Sequence, residues 1–350
     1  MKTFLILAVL ASAQMTGPLS VRQLHVKFIE TIEPAGKTKV LEELGRTAPQ
    51  SQYDVEALYD LFMRFPDDTV RKAALDSLQL MSPGMIAAEP LVLRCLGDEE
   101  ADSVLFGLKA ALRLRTPAAL PLIKKIAARK FKQPKASDAA LLSERNAWWT
   151  QYEALAVLAQ WDGEEALPLI RKKSREATGA ARLLGMYFWK QELPELVDWS
   201  KGSSDDKARA YAAAEAPVPS AALRESRAAM LAVMRDPKGD AELRHQLALK
   251  VGPTSTPDEV AGLLKDYDAA QDDFSKKIWA AAVFATHDPQ AVPLLKRFSQ
   301  EDPQPMVRLG ARVQLKDMLP TPEYRSVLEW AAKNDPDREN RELAARELKP

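Results

Sequence analysis

The 350-residue chain is predicted to be all-α, built as a stack of helix pairs, and three observations carry that prediction. Only 14 residues are Gly, Ala and Leu are abundant, and β-branched residues are sparse, a mixture that favours helix. Similar helix starts and a shared Pro-Leu-Ile segment recur about every 32 residues. No stretch shows the sustained strict alternation of a half-buried strand.

From the N-terminus, Met-Lys-Thr is followed by the apolar run Phe4–Leu10 and then Ala11-Ser12-Ala13. A positive start, a short apolar stretch and an Ala-x-Ala end make residues 1–13 an expected secretory signal, cleaved between Ala13 and Gln14. The expected location is periplasmic or secreted. The run is too short to cross a bilayer, so no transmembrane segment is expected in the mature chain. Residues 14–50 are expected to form N-terminal capping helices. One carries Val21, Leu24, Phe28 and Ile32; the other runs through Val40, Leu41 and Leu44.

The repeated array is expected over residues 51–350. Thr116-Pro, Thr256-Pro, Asp288-Pro and Thr321-Pro each place a side-chain acceptor before a Pro at the first helical position. The last three are 32 and 33 residues apart. Ala-Leu-Pro-Leu-Ile-Lys-Lys at 119–125 returns as Ala-Leu-Pro-Leu-Ile-Arg-Lys at 166–172 and as Ala-Val-Pro-Leu-Leu-Lys-Arg at 291–297. Pro121 to Pro168 is 47 residues, which is one period plus an insertion near 131–147. A break there would divide the chain into two arrays around residue 140. Between these helices lies a second type with an Arg three residues before an Ala, as in Arg308 and Arg341, which are 33 apart. In 306–318 the expected buried stripe is Val307, Ala311, Leu315 and Met318. The densely charged Arg338–Lys349 suits a terminal pair with a wet outer face.

A period near 32, a Pro-Leu-Leu first helix and a Val-Arg-x-x-Ala second helix resemble the HEAT repeat family, in its short bacterial form. The resemblance implies a right-handed α-solenoid, an α-α superhelix of the armadillo type, with about nine helix pairs. It also implies a long concave surface suited to protein binding.

Chemical motifs are absent. No phosphate-cradling Gly-rich loop, Gly-x-Ser-x-Gly or His-Glu-x-x-His occurs, and His25, His245 and His287 are not at metal-ligand spacing. Ser204-Asp-Asp-Lys207 matches a Ser-x-x-Lys spacing but lacks its supporting motifs. Cys95 is the only cysteine, which excludes an internal disulfide, and it reads as a small buried hydrophobe. No catalytic, cofactor-binding or metal-binding residue is therefore assigned, and no cofactor is expected. Lys+Arg and Asp+Glu both number 49, so nothing in the overall charge points to nucleic acid.

Two local features stand above this background. Residues 109–135 hold nine Lys and Arg and no acid, while 257–273 hold six acids and one Lys. Arg171-Lys-Lys-Ser-Arg175 extends the basic character. Five of the seven Trp lie in 148–199, and Trp148 and Trp149 follow directly on the insertion. Adjacent helical residues point about 100° apart, so both cannot centre one buried stripe. The candidate partner-binding residues are Lys124, Lys125, Arg129, Lys130, Lys132, Trp148, Trp149 and Tyr152. The expected partner is a protein, with an anionic glycan or lipid headgroup as a further class. The expected function is that of a non-catalytic scaffold or adaptor. An exported enzyme with a pocket inside the solenoid, and a structural subunit of an envelope assembly, are the alternatives.

Overall fold

The computed structural model describes residues 18–130 and 140–349. The expected signal segment, Lys132 and Lys135 lie outside the described residues. Within them the regular structure is entirely helical, with nineteen α-helices, short 3₁₀ turns and no strand. The chain divides into two compact units, one ending at Leu169 and one beginning at Ile170.

The first unit contains α1 (Val21–Glu30), α2 (Pro34–Gly45), α3 (Gln52–Arg64), α4 (Asp68–Gln79), α5 (Glu89–Leu96), α6 (Ala101–Leu114), α7 (Leu120–Ala128) and α8 (Ala140–Trp161). Short polar caps start α1, α3 and α4. Ser20 and Ser51 close capping boxes with Gln23 and Asp54, and Asp67 accepts from the Thr69 and Val70 amides. Consecutive helices pack in pairs, α1 on α2 through α7 on α8, and pairs join through α2 on α4, α4 on α6 and α6 on α8. Val21, Leu24 and Phe28 are buried as expected, but Ile32 is 92% exposed because α1 ends at Glu30 with Thr31 as its C-cap. Residues 140–147, expected to belong to the insertion, form the first two turns of α8. The division of the chain falls after Leu169 and not near residue 140.

The helix α9 (Leu167–Glu176) carries the boundary. The second unit continues with α10 (Ala181–Ser200), α11 (Ser204–Glu215), α12 (Ser220–Arg235), α13 (Ala241–Val251), α14 (Pro257–Ala269), α15 (Asp273–Phe284), α16 (Val292–Glu301), α17 (Pro305–Met318), α18 (Thr321–Asn334) and α19 (Arg338–Glu347). Helix α10 is two helices fused end to end, since Phe188 leaves the helical region at φ −131° and ψ 23°. Pairing follows the same order, α10 on α11 through α18 on α19, with α11 on α13 and α13 on α15.

The recurring Pro falls at the second residue of α5, α7, α9 and α16, where a missing N–H breaks no helical bond. Of the Thr/Asp-Pro starts, Thr256 and its Pro open α14, while Pro117 and Pro289 open 3₁₀ turns ahead of α7 and α16. Thr321 sits inside α18, whose N-cap is Pro320. Side-chain links repeat at one period within each unit. Arg71 reaches Asp102 at 2.6 Å, Arg235 reaches Asp266 at 2.7 Å and Arg244 reaches Ser275 at 2.9 Å.

Helix α17 departs from its expected stripe. Its buried face is Arg308, Ala311, Arg312 and Leu315, and Val307 and Met318 are only half-buried. Both arginines are drawn inward by the buried Asp335, which accepts from Arg308 at 2.7 Å and from Arg312 at 3.2 Å.

Candidate functional site

The predicted site residues fall on two packed helices, and the structure brings most of them to one edge. In α7 the apolar positions Ile123, Ile126 and Ala127 face inward, so Lys124 and Lys125 face out. The helix stops at Ala128, and Arg129 and Lys130 follow it, both exposed. The Gln151 side chain of α8 donates to the carbonyls of Ala127 and Arg129, capping the end of α7. That bond places the exposed cations beside the turn of α8 that carries the aromatic residues.

Trp148, Trp149 and Tyr152 form one ring cluster. Tyr152 lies four residues after Trp148 and three after Trp149, the spacings that bring helical side chains together. Its ring stacks on Trp148 with centroids 5.6 Å apart and on Trp149 at 5.8 Å. Such ring pairs contribute about 0.5–1.5 kcal/mol beyond simple burial. Trp148 and Tyr152 are half-buried, whereas Trp149 remains 45% exposed. The cluster thus supports a large apolar ring in solvent without letting it fold into the core.

The basic stretch is partly neutralised by α8. Lys109 pairs with Glu153 at 2.5 Å, and Lys124 pairs with Asp162 at 2.8 Å. The hydrogen bond it donates to Asp162 holds the Lys124 ammonium above its ordinary pKa. Lys124 is therefore committed to the fold. Arg115 adopts a left-handed C-cap conformation at φ 52° and donates to the Gln160 carbonyl at 3.3 Å. Lys125 and Lys130 are exposed and form no ion pair among the described residues. Cations at the end of α7 also complement its dipole, worth about 0.3–1 kcal/mol each to the helix alone. Lys132 lies outside the described residues.

The other marked features resolve into structural roles. In the second unit Arg171 binds the buried Glu192 through two nitrogens, and Lys173 is buried against Glu176 at 2.8 Å. Trp189 and Trp199 are core residues, with Lys250 and Arg209 over their rings. In the acidic segment Glu259 pairs with Arg227, Asp266 with Arg235, and Asp272 caps α15. His25 meets Asp60 at 2.9 Å, and His287 stands at φ 52° just before the Asp288 cap. Ser204 opens α11, and Lys207 faces Asp240 at 3.7 Å. Cys95 is buried, and burial pushes its thiol pKa up.

One feature of the second unit has no counterpart in the sequence patterns. A groove of about 500 Å³ opens among α13, α15 and α17, walled by Phe274, Phe284 and Val307. Each residue there reads as an ordinary helical position. The groove arises from the distance between helices.

No family model matches the chain, and no curated protein matches it either. Among the described residues no helix is long and apolar enough to cross a membrane, and no cluster of three His, Cys, Asp or Glu could hold a metal ion.

Proposed function

We propose that this chain is an exported, non-catalytic binding scaffold, an α-solenoid of HEAT-like pairs that docks a protein partner at the α7–α8 edge. Successive helix pairs, and polar links one period apart within each unit, support a repeat array. Among the described residues α3 to α19 are seventeen helices, with a kink inside α10 at Phe188, which is compatible with about nine pairs. Residues 1–13 read as an export signal, which places the mature chain in the periplasm or outside the cell.

The observation that carries the docking edge is Trp149, 45% exposed yet braced by the stacked Tyr152. Trp and Arg are the side chains most enriched among interface hot spots, and a braced ring loses little freedom on binding. Lys125, Arg129 and Lys130 form the rim, which suits an acidic partner surface. Trp149→Ala is expected to lower partner affinity by about 2 kcal/mol or more, roughly thirtyfold. Lys125→Glu with Lys130→Glu should slow association and reduce its salt dependence. The test is capture of envelope proteins by the mature chain, with each variant alongside and each run at low and moderate salt. A stoichiometric partner retained equally by wild type and both variants would sink the proposed edge.

A further inference from the structure

The groove of the second unit is a break in an otherwise regular layer. Helix α13 rests on α11 and α15 rests on α13, but α17 does not close on α15 in the same way. Phe274 and Phe284 of α15 and Val307 of α17 line the gap, and Phe298 of α16 contributes to it. Phe274 is 45% exposed. The gap of about 500 Å³ falls within the 300–1,000 Å³ of single small-molecule sites. At Gly310, in the middle of α17, an added Cβ would meet nothing within 4 Å. The space is open there even at the backbone.

Five polar side chains line this groove: Glu242, His245, Lys277, Gln304 and Gln314. Lys277 is half-buried and makes no ion pair or hydrogen bond among the described residues. The Oε1 of Gln314 is buried without a hydrogen-bond partner. That oxygen is an acceptor closed to solvent, so it offers nothing to an anionic head, and Lys277 is the donor the groove presents. One acid, Glu242, lines the groove, and it is exposed and already accepts from Gln246 at 2.8 Å. Apolar walls with one unpaired cation describe the complement of an apolar chain bearing a single negative head.

We propose that the groove between α13, α15 and α17 binds a free long-chain carboxylate. Its chain lies between Phe274, Phe284 and Val307, and its head meets Lys277. The site lies wholly within the second unit and does not rest on the α7–α8 edge.

The test titrates monomeric laurate into the full chain by calorimetry, with dodecanol as the same chain without charge. Wild type is expected to bind one laurate. Lys277→Met should weaken laurate about ten- to a hundredfold, as loss of a charged hydrogen bond does, and leave dodecanol unchanged. Gly310→Leu should abolish binding of both while keeping the helical circular dichroism of wild type and a thermal midpoint no lower than its own. Absence of saturable laurate binding to wild type overturns the site. So does laurate binding that survives Gly310→Leu in a folded protein. Equal weakening of laurate and dodecanol by Lys277→Met overturns the assignment of the head.

Discussion

Asp335 is buried and accepts from two guanidinium groups, Arg308 and Arg312, that are themselves buried. Burial alone would raise its carboxyl pKa. The Arg308 hydrogen bond, the Asp337 amide and the Arg312 charge outweigh that and hold it below its ordinary 3.8. A depressed folded pKa contributes stability that is complete above 3.8 and is lost as pH falls through the folded value. Asp335→Ala leaves two buried cations facing each other, and is expected to cost about 3–5 kcal/mol. Urea melts should show that loss at pH 7 and a smaller difference near pH 2. Lys250 behaves in the opposite sense. Burial, with the nearby Arg182 charge, lowers its pKa to about 8 from 10.5. Between those values the unfolded chain binds more protons than the folded one, so this group makes stability rise with pH from about 8 to 10.5. Lys250→Met should flatten that rise in melts taken across the same range.

Helices in this chain meet at distances set by their smallest residues, and two glycines mark the extremes. At Gly185 a methyl group would collide with the Ala213 carbonyl of α11, so α10 and α11 approach backbone to backbone. Gly185→Ala is expected to destabilise by about 1–3 kcal/mol through overpacking. Gly310 faces open space, so Gly310→Ala should stabilise by up to about 1 kcal/mol through helix propensity alone. Thermal midpoints of the two variants should therefore move in opposite directions. The start of α14, with Thr256 as N-cap and Pro257 first, was legible in the sequence because capping is local. Ser20, Ser51 and Asp67 each act on amides two or three residues away. The contents of the faces were less legible. Arg308 and Arg312 centre a buried stripe only because Asp335, 27 and 23 residues later, meets them there. Lys124 lost its place on the basic rim for the same reason, since Asp162 comes from beyond the end of the next helix. That Trp148 and Trp149 are not both central to one buried stripe was legible, because adjacent helical positions point about 100° apart, but which of them is exposed was not. The groove was not legible, because a gap between α15 and α17 has no signature in either helix.

At the scale of the whole chain, equal numbers of acids and bases leave no overall field, so any steering of a partner is local to the α7–α8 edge. Helix order was visible in the sequence because a Pro-marked helix start recurs, at α5, α7, α9 and α16. The division after Leu169 was not, because α9 reads as one continuous helix across it. A stack in which each pair touches only its neighbours should also fail locally. Within the second unit α10 packs on α11 and α12, while Asp335 ties α17 to the loop before α19. Asp335→Ala is therefore expected to raise amide hydrogen exchange in α16–α19 by about two orders of magnitude or more, following its 3–5 kcal/mol cost. The amides of α10–α12 should keep wild-type protection in the same sample. Uniform loss across α10–α19 would mean that the second unit unfolds as one cooperative block. The neighbour-only energetics expected of a repeat array would then not describe it.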